Sequence, residues 1–158
     1  MTRVLFVCHG NICRSPMAEY VMKDILKKQR LECLAEISSA ATSTEEIGNP
    51  VYPPVRRLLA EKGISCKGHS ARQLTKADYE YYDMIIVMDN ANLRNAVRMC
   101  GGDPEAKISM LADYSGEYGE IDDPWYTRDF ESCYRSVLSD CLGLAERIKN
   151  DRQNKENK

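Results

Sequence analysis

The feature that most constrains the fold is a short segment near the N-terminus, residues 4–16, in which strand residues run directly into a glycine-containing loop. It opens with four apolar residues, two of them valine, which predicts a buried strand ending at Cys8. Ser15 is predicted to cap the following helix, with Pro16 at its first helical position. The first N–H groups of a helix lack intrahelical partners and favour an anion. We therefore expect a phosphoryl group between the thiol of Cys8 and the guanidinium of Arg14.

The rest of the chain alternates between strand and helix patterns. Further strands are predicted at residues 35–40, 84–88 and 107–111. Helices are predicted at residues 55–62, from Thr75 through a capping box with Asp78, from Asp89 or Asn90 to the stop at Gly101, and at 129–149. An acidic loop is expected at residues 113–123.

This alternation of strands and helices indicates a doubly wound parallel α/β sheet in one domain, residues 1–149. Residues 150–158 are all polar, and we expect them to form a disordered tail. In doubly wound folds, ligands bind beyond the carboxyl ends of the strands where the strand order reverses. The loop after the first strand is in the right place for this.

The spacing Cys-x5-Arg is not informative by itself, because it occurs three times: Cys8/Arg14, Cys66/Arg72 and Cys141/Arg147. The third pair falls inside a predicted helix, where the backbone N–H groups already bond to carbonyls four residues earlier. The second pair falls in irregular chain with no helix close behind it. Only the first pair has a strand before it, a glycine within it and a helix start after it.

Composition excludes several classes of function. The net charge is −2, which gives no electrostatic reason to expect nucleic acid or an anionic membrane as a partner. No apolar run is long enough to insert into a membrane, and the N-terminus does not resemble a signal peptide. The seven cysteines show no paired framework and no zinc-ligand spacing, so we expect free thiols, no metal and no cofactor. We expect a cytoplasmic monomer.

Residues 7–19, Val-Cys-His-Gly-Asn-Ile-Cys-Arg-Ser-Pro-Met-Ala-Glu, resemble the phosphate-binding loop of the low-molecular-weight protein tyrosine phosphatases. The resemblance continues, in the family's order, through residues 38–43, 69–73 and 86–89, and ends with Asp-Asp-Pro-Trp-Tyr at 122–126. It implies a single-domain three-layer α/β/α fold with a four-stranded parallel sheet, flavodoxin-like and doubly wound. It also implies metal-independent hydrolysis of phosphotyrosine in proteins, and of small aryl phosphates, through a phosphocysteine.

The resemblance implies a role for each catalytic residue. Cys8 is the nucleophile, and Arg14 and the start of the helix should favour its thiolate. Arg14 holds the phosphoryl oxygens with a planar fork that lysine lacks. Asp123 protonates the leaving phenolate and then activates water. The chemistry of the sequence does not separate Asp122 from Asp123; the motif favours Asp123 because it directly precedes proline.

The remaining site residues form the loop or support it. The resemblance implies that Ser15, besides capping, donates a hydrogen bond to the thiolate. Trp125 and Tyr126 should flank the substrate ring, whereas Glu45 stands where many members have an aromatic residue and favours basic groups near the phosphotyrosine. The loop itself is assigned to His9, Gly10, Asn11, Ile12 and Cys13, and Ser39 and His69 are assigned to its support.

The last expectations concern the second cysteine of the loop, Cys13, and three alternative functions. The resemblance implies that Cys13 forms a reversible disulfide with Cys8 on oxidation. A thioredoxin-coupled arsenate reductase would need cysteines near residues 87–90, and the chain has none there; Cys100 comes later. A protein arginine phosphatase would carry threonine at Ile12. A silent phosphate-binding module would lack Cys8 or the acid.

Overall fold

Four parallel strands form the centre of the molecule in this computed structural model, which describes residues 1–117 and 119–158. They form one sheet in the order β2-β1-β3-β4. The strands are β1 (Thr2–Cys8), β2 (Ala35–Ala41), β3 (Met84–Val87) and β4 (Ile108–Met110). The predicted fold class is confirmed, and the order of the strands reverses between β1 and β3.

Within residues 1–117 and 119–158, six α-helices and two 3-10 turns connect and cover the sheet. The helices are α1 (Arg14–Lys28), α2 (Pro53–Glu61), α3 (Lys76–Tyr81), α4 (Asn90–Met99), α5 (Pro124–Thr127) and α6 (Phe130–Glu156). The 3-10 turns are Glu32–Leu34 and Leu111–Ser115. Among the described residues, no helix combines the length and apolar character needed to cross a membrane.

Successive residues of β1 pack on opposite faces of the sheet, as the alternation of a strand requires. Val4, Phe6 and Cys8 belong to the cluster that α1, α2 and α6 complete, whereas Leu5 and Val7 pack with α3 and α4. Both faces of this parallel sheet are therefore covered, which makes three layers. As the last residue of β1, Cys8 is brought to the face that carries α1.

Two local predictions of helix starts are confirmed. The side chain of Thr75 accepts a hydrogen bond from the N–H of Asp78, whose side chain bonds back to the N–H of Thr75. Asp89 caps α4 by accepting from the N–H of Asn92 at 2.7 Å. In both cases a short acidic or hydroxyl side chain satisfies N–H groups that the helix itself leaves free.

The starts of α2 and α5 differ from the prediction. Pro53 and Pro54 begin α2 rather than ending a loop before it, because the first helical positions need no N–H donor. Pro124 likewise begins the short helix α5, which the sequence analysis did not predict, and Asp123 caps it. Tyr118, within the acidic loop predicted at residues 113–123, lies outside the described residues; the structure starts this segment with the 3-10 turn Leu111–Ser115.

The C-terminal tail also differs from the prediction, because α6 continues to Glu156 where disorder was expected from residue 150. Residues 150–158 are all exposed, so no apolar contact holds this extension. Ion pairs at four-residue spacing, Arg147–Asp151 and Arg152–Glu156, run along it instead. Strong helix formers such as Arg, Lys, Gln and Glu extend a helix that is already nucleated by its packed part.

Candidate active site

Cys8 lies where β1 ends and the loop before α1 begins. Its Sγ accepts hydrogen bonds from the backbone N–H groups of Asn11 and Ser15, both at 3.4 Å. The side chain is only 3% exposed. Two N–H groups aimed at one sulfur favour a thiolate, and the N-terminus of α1 adds partial positive charge on the same side.

Ser15 does not cap α1, which corrects the sequence prediction. The helix starts one residue earlier, at Arg14, and its N-cap is Cys13, whose side chain makes no capping hydrogen bond. The hydroxyl of Ser15 is therefore free for another use and lies 3.0 Å from the Sγ of Cys8. Pro16 falls in the first turn of α1, where a missing N–H is tolerated.

Asn11 holds the loop in shape with a complete set of hydrogen bonds. Its φ is +61°, in the left-handed region that asparagine tolerates better than most residues. Its amide donates to the hydroxyls of Ser15 at 2.8 Å and Ser39 at 2.9 Å and accepts from the N–H of Arg72 at 3.2 Å. Its carbonyl accepts from the Nε2 of His69 at 2.8 Å. The four bonds stabilise a loop shape that would otherwise be strained.

Arg14 is almost fully buried but is oriented by three acceptors. Its Nη1 donates to Asp89 at 2.7 Å and to the carbonyl of Ile121 at 2.9 Å, and its Nη2 lies 3.4 Å from Asp123. Burial alone would lower the pKa of Arg14, but the Cys8 thiolate and Asp89 raise it above its usual value. Among the described residues, the Nε–H and one Nη2 hydrogen have no partner, which leaves a fork for two phosphoryl oxygens.

Asp123, not Asp122, lies at the cleft that contains Cys8. The cleft has a volume of about 190 Å³ and includes both Cys8 and Asp123 in its lining. Asp122 is not part of that lining and borders two other depressions instead. Asp123 uses one oxygen to accept from the N–H of Trp125 at 3.0 Å, which directs its other oxygen toward Arg14. This geometry agrees with the assignment made from the motif.

The two walls of the cleft differ in chemistry. Trp125 and Tyr126 form an aromatic wall; Trp125 rests on the ring of Tyr52 at a centroid distance of 4.9 Å, and Tyr126 is 81% exposed. The opposite wall carries Glu45 and Glu46. The complete lining is Cys8, His9, Gly10, Ile12, Cys13, Arg14, Glu45, Glu46, Asp123, Trp125 and Tyr126.

Glu45 and His9 are joined across the loop. The Nε2 of His9 lies 2.9 Å from a carboxylate oxygen of Glu45, and both side chains are more than half exposed. Glu45, where many members of the family have an aromatic residue, lines the cleft together with Glu46. A phosphorylated ring in this cleft would stack on one side only.

Cys13 lies in the loop beside Cys8 and also lines the cleft. Burial, followed by the negative charges of Cys8 and Asp123, raises the pKa of its thiol well above the ordinary range. Burial similarly raises the pKa of Cys133, on α6, to about 12. Cys13 is thus a neutral thiol beside a sulfur that is surrounded by donors.

Three residues that contribute to this arrangement were not given a role in the sequence analysis. Asp89 uses one oxygen to cap α4 and the other to hold Arg14. Glu19 accepts a hydrogen bond from Ser39, and Tyr52 supports Trp125. The role of Asp89 could have been predicted, because a carboxylate that directly follows a parallel strand lies at the edge of the sheet where ligands bind.

Together these residues place hydrogen-bond donors, a thiol and a carboxyl group around one cleft. The loop N–H groups and Arg14 are the donors, Cys8 carries the thiol, and Asp123 carries the carboxyl group. Such a set of donors around a thiol is suited to transfer of a phosphoryl group.

Comparison with known proteins agrees with this chemistry. A sequence model described as "Low molecular weight phosphotyrosine protein phosphatase" matches residues 3–154. The low molecular weight protein-tyrosine-phosphatase YfkJ of Bacillus subtilis is 37% identical to this chain, and the match covers 97% of this chain and 99% of YfkJ. The low molecular weight phosphotyrosine protein phosphatase of Gallus gallus is 41% identical, and the match covers 91% of this chain and 94% of the relative. The chain belongs to the low molecular weight phosphotyrosine protein phosphatase family, whose members are hydrolases that form a phosphocysteine.

Solved structures give the same result for the fold. The crystal structure of YfkJ superposes with a TM-score of 0.92, and 96% of each chain is covered. A structure described as a Drosophila arginine phosphatase superposes with a TM-score of 0.85 at 30% identity, over 94% of this chain and 98% of its own. The same fold therefore carries more than one phosphatase specificity.

Proposed function

We propose that this protein hydrolyses phosphotyrosine in proteins, and small aryl phosphates, without a metal ion and with Cys8 as the nucleophile. The observation that carries the proposal is that Cys8, Arg14 and Asp123 line one cleft, although Asp123 is more than a hundred residues from the other two. The cleft also offers an aromatic wall, Trp125 and Tyr126, against which a phenyl ring packs.

In the first step the Cys8 thiolate attacks phosphorus and forms a sulfur–phosphorus bond. The bond from phosphorus to the phenolic oxygen breaks, and the carboxylic acid of Asp123 gives its proton to that oxygen. The charge that spreads over the three equatorial oxygens is met by the free fork of Arg14 and the N–H groups of the loop. Tyrosine leaves, and a phosphocysteine remains.

In the second step the ionised Asp123 takes a proton from a water molecule, whose oxygen attacks phosphorus. The sulfur–phosphorus bond breaks, inorganic phosphate leaves, and Cys8 returns as a thiolate. The Ser15 hydroxyl, 3.0 Å from Sγ, donates to the sulfur as its negative charge returns. No redox step or metal ion is needed for the atoms and charges to balance.

Two related activities fit the cleft less well. For a thioredoxin-coupled arsenate reductase, the candidate Cys100 lies at the C-terminal end of α4, about 15 Å along the helix from Asp89 at the site. For an arginine phosphatase, the cleft would need a polar contact for the guanidinium where the apolar Ile12 lies. A silent binding module has no use for both a thiol and an acid.

We also propose that the protein acts as a cytoplasmic monomer. Every residue with an assigned role comes from one chain, so the site is complete without a partner subunit. Five of the seven cysteines are buried as thiols, which suits a reducing compartment. Size-exclusion chromatography with light scattering measures the state of assembly; a stable dimer would contradict this part of the proposal.

The deciding experiment is a phosphatase assay in the presence of a chelator. We expect hydrolysis of para-nitrophenyl phosphate and of a phosphotyrosine peptide by the native chain, and a phosphocysteine trapped on Cys8 by rapid acid quench. A phosphoarginine peptide of the same sequence is the matched substrate. Loss of activity in chelator, activity in Cys8→Ser, or faster hydrolysis of phosphoarginine would each overturn the proposal.

A further inference from the structure

Glu19 is a buried carboxylate to which the mechanism above gives no role. It lies in the second turn of α1 and is only 6% exposed. Its Oε1 accepts from the Ser39 hydroxyl at 2.5 Å, and its Oε2 accepts from the Nζ of Lys23 at 2.6 Å. A carboxylate is rarely buried without a specific partner for each oxygen, and here one oxygen is directed toward the catalytic loop.

A continuous chain of hydrogen bonds joins Glu19 to the nucleophile. From Ser39 the chain passes to the Asn11 amide at 2.9 Å, from Asn11 to the Ser15 hydroxyl at 2.8 Å, and from Ser15 to the Sγ of Cys8 at 3.0 Å. All of its members are buried. Each link is within ordinary hydrogen-bond distance, so the chain has a defined direction once one end is fixed.

An ionised carboxylate fixes that direction because it only accepts hydrogen bonds. Ser39 must give its single hydrogen to Glu19, so its oxygen is left to accept from Asn11. The N–H of Arg72 bonds to the amide oxygen of Asn11, so the Asn11 nitrogen faces both hydroxyls. The Ser15 oxygen therefore accepts from Asn11, and its own hydrogen has two acceptors within reach, the Sγ of Cys8 at 3.0 Å and the more distant carbonyl of Ala40 at 3.4 Å.

We propose that Glu19 is a positioning residue: through Ser39 and Asn11 it orders the hydrogen-bond chain so that Ser15 donates to the Cys8 sulfur. The inference rests on the proposed nucleophilic role of Cys8. Lys23 donates to the other carboxylate oxygen of Glu19 at 2.6 Å, so each oxygen has its own donor. When Glu19 is lost, the Ser39 hydroxyl needs another acceptor, and Asn11 and Ser15 lose their fixed arrangement.

If Glu19 acted on Cys8 only through its negative charge, replacing it would shift the pH at which Cys8 becomes reactive in the opposite direction, and this makes the proposal testable. Removing a negative charge near a thiol makes the thiolate easier to form and lowers the pH at which Cys8 becomes reactive. Loss of the Ser15 donor makes the thiolate harder to form and raises that pH. The two explanations thus predict shifts in opposite directions.

The experiment compares Glu19→Leu, which removes the acceptor, with Glu19→Gln, which keeps an acceptor oxygen but no charge. The primary readout is the pH profile for alkylation of Cys8 by iodoacetamide. We expect the midpoint to rise by about half a pH unit in Glu19→Leu, as loss of one hydrogen bond implies. In Glu19→Gln it should stay within about 0.2 units of the native profile, or below it.

Steady-state kinetics provide the second readout. We expect kcat on para-nitrophenyl phosphate to fall about fivefold in Glu19→Leu, since the thiolate is a poorer leaving group in the second step. KM should change by less than about twofold, because Arg14 and the loop N–H groups still bind the phosphoryl group. Asp24→Leu is the matched control: Asp24 pairs with Lys28 at 2.8 Å on the same helix, outside the chain of bonds.

A double-mutant cycle with Ser39→Ala tests the route. If Glu19 acts through Ser39, Glu19→Leu adds little to either readout in the Ser39→Ala background, whereas independent effects would add. Additive effects, an unshifted or lowered midpoint in Glu19→Leu, or an equal response in Asp24→Leu would overturn the proposal. Should Glu19→Leu fail to fold, Ser39→Ala alone removes the link between Glu19 and Asn11, and an unshifted midpoint in that variant would overturn the proposal.

The two proposals fail in different ways. Alkylation of Cys8 needs no turnover, so its pH profile is measurable even if the protein does not hydrolyse phosphotyrosine. A native chain without Cys8-dependent phosphatase activity contradicts the proposed function. If the native chain is active but the pH profile for Cys8 alkylation does not change when Glu19 is replaced, only the positioning role is contradicted.

Discussion

Three segments of this molecule have a cysteine six residues before an arginine; the third lies within α6, and the other two, Cys8/Arg14 and Cys66/Arg72, are the ones to compare. At Cys8/Arg14 the thiol accepts two backbone N–H groups, and the arginine begins a helix. At Cys66/Arg72 the chain is irregular, and the Arg72 guanidinium binds both oxygens of Asp78 at 2.9 and 3.1 Å. The same spacing thus gives a binding site in one place and a structural ion pair in the other.

The difference lies in what surrounds each arginine, because both use the same donors. Arg14 gives Nη1 to Asp89 and the carbonyl of Ile121 and Nη2 to Asp123, and Arg72 gives Nη1 to Asp78 and the carbonyl of Gln73 and Nη2 to Asp78. The side chain of Arg14 is only 3% exposed and lines the cleft that contains Cys8, whereas the side chain of Arg72 is 40% exposed. A charge-assisted hydrogen bond to a phosphoryl group is stronger at the buried position, where water does not compete for the guanidinium.

The largest expected difference between the two segments is at the thiols. We expect Cys8→Ser to lower kcat on para-nitrophenyl phosphate by at least about a thousandfold, because the nucleophile is lost. Cys66→Ser should stay within about twofold of the native rate, since no step uses that thiol. A comparable loss in both variants, with native circular dichroism, would contradict the contrast.

The arginines give the next largest effect. Arg14→Lys is expected to lower kcat about a hundredfold, since lysine offers no planar fork to the equatorial oxygens. Arg72→Lys should change kcat little and reduce the free energy of unfolding by less than about 1 kcal/mol, because the ion pair is partly exposed. Steady-state assays and urea denaturation measure the two effects; a larger kinetic loss in Arg72→Lys would reverse the assignment.

Replacing the acid, Asp123, should have a smaller effect on kcat/KM that depends on the substrate, and it concerns the Cys8/Arg14 site alone. We expect Asp123→Asn to lower kcat/KM about a hundredfold on phenyl phosphate, a poor leaving group, and much less on a substrate with an activated leaving group. Asp122→Asn is the matched control, since the lining of the cleft that contains Cys8 includes Asp123 and not Asp122. A greater loss in Asp122→Asn would exchange the two roles.

Oxidation should also affect the Cys8/Arg14 segment differently from the Cys66/Arg72 segment. Hydrogen peroxide converts the Cys8 thiolate to a sulfenic acid; the Cys13 thiol then attacks its sulfur, and water leaves as the disulfide forms. We expect the native chain to regain most of its activity in dithiothreitol, and Cys13→Ser to regain severalfold less after the same exposure. Thiol mapping that shows no Cys8–Cys13 bridge would leave Cys13 as a packing residue.

Much of this arrangement was predictable because its signals are local. An apolar strand that runs into Cys8, a glycine in the loop and a helical pattern after Pro16 identify the anion site without knowledge of the rest of the fold. Asp123 could be chosen over Asp122 only from the motif with Pro124, which marks the start of α5. Local signals also predicted the caps at Thr75 and Asp89.

Contacts between distant parts of the chain were not predictable in the same way. The second oxygen of Asp89 meets Arg14 across 75 positions, and Ser39 meets Glu19 across 20. Ser15 illustrates the reason: its sequence context suggests a cap, but the helix begins one residue earlier and frees its hydroxyl for Cys8. Such pairings depend on how β1, β2 and β3 are aligned, which no short pattern specifies.

The smallest expected effect concerns the reactivity of Cys66. Burial raises the pKa of this thiol, so its neutral form is favoured in the folded state and its thiolate is scarce at neutral pH. Iodoacetamide at pH 7 should therefore label Cys8 first, with loss of activity, and Cys66 only as the pH rises. The raised pKa also makes the free energy of unfolding depend on pH. The contribution of Cys66 to stability is present at neutral pH and is lost as the pH rises through its folded-state pKa. Peptide mapping over a pH series, with Cys66→Ser as the control, measures the order; labelling of Cys66 before Cys8 at pH 7 would show that the donors around Cys8 do not favour its thiolate.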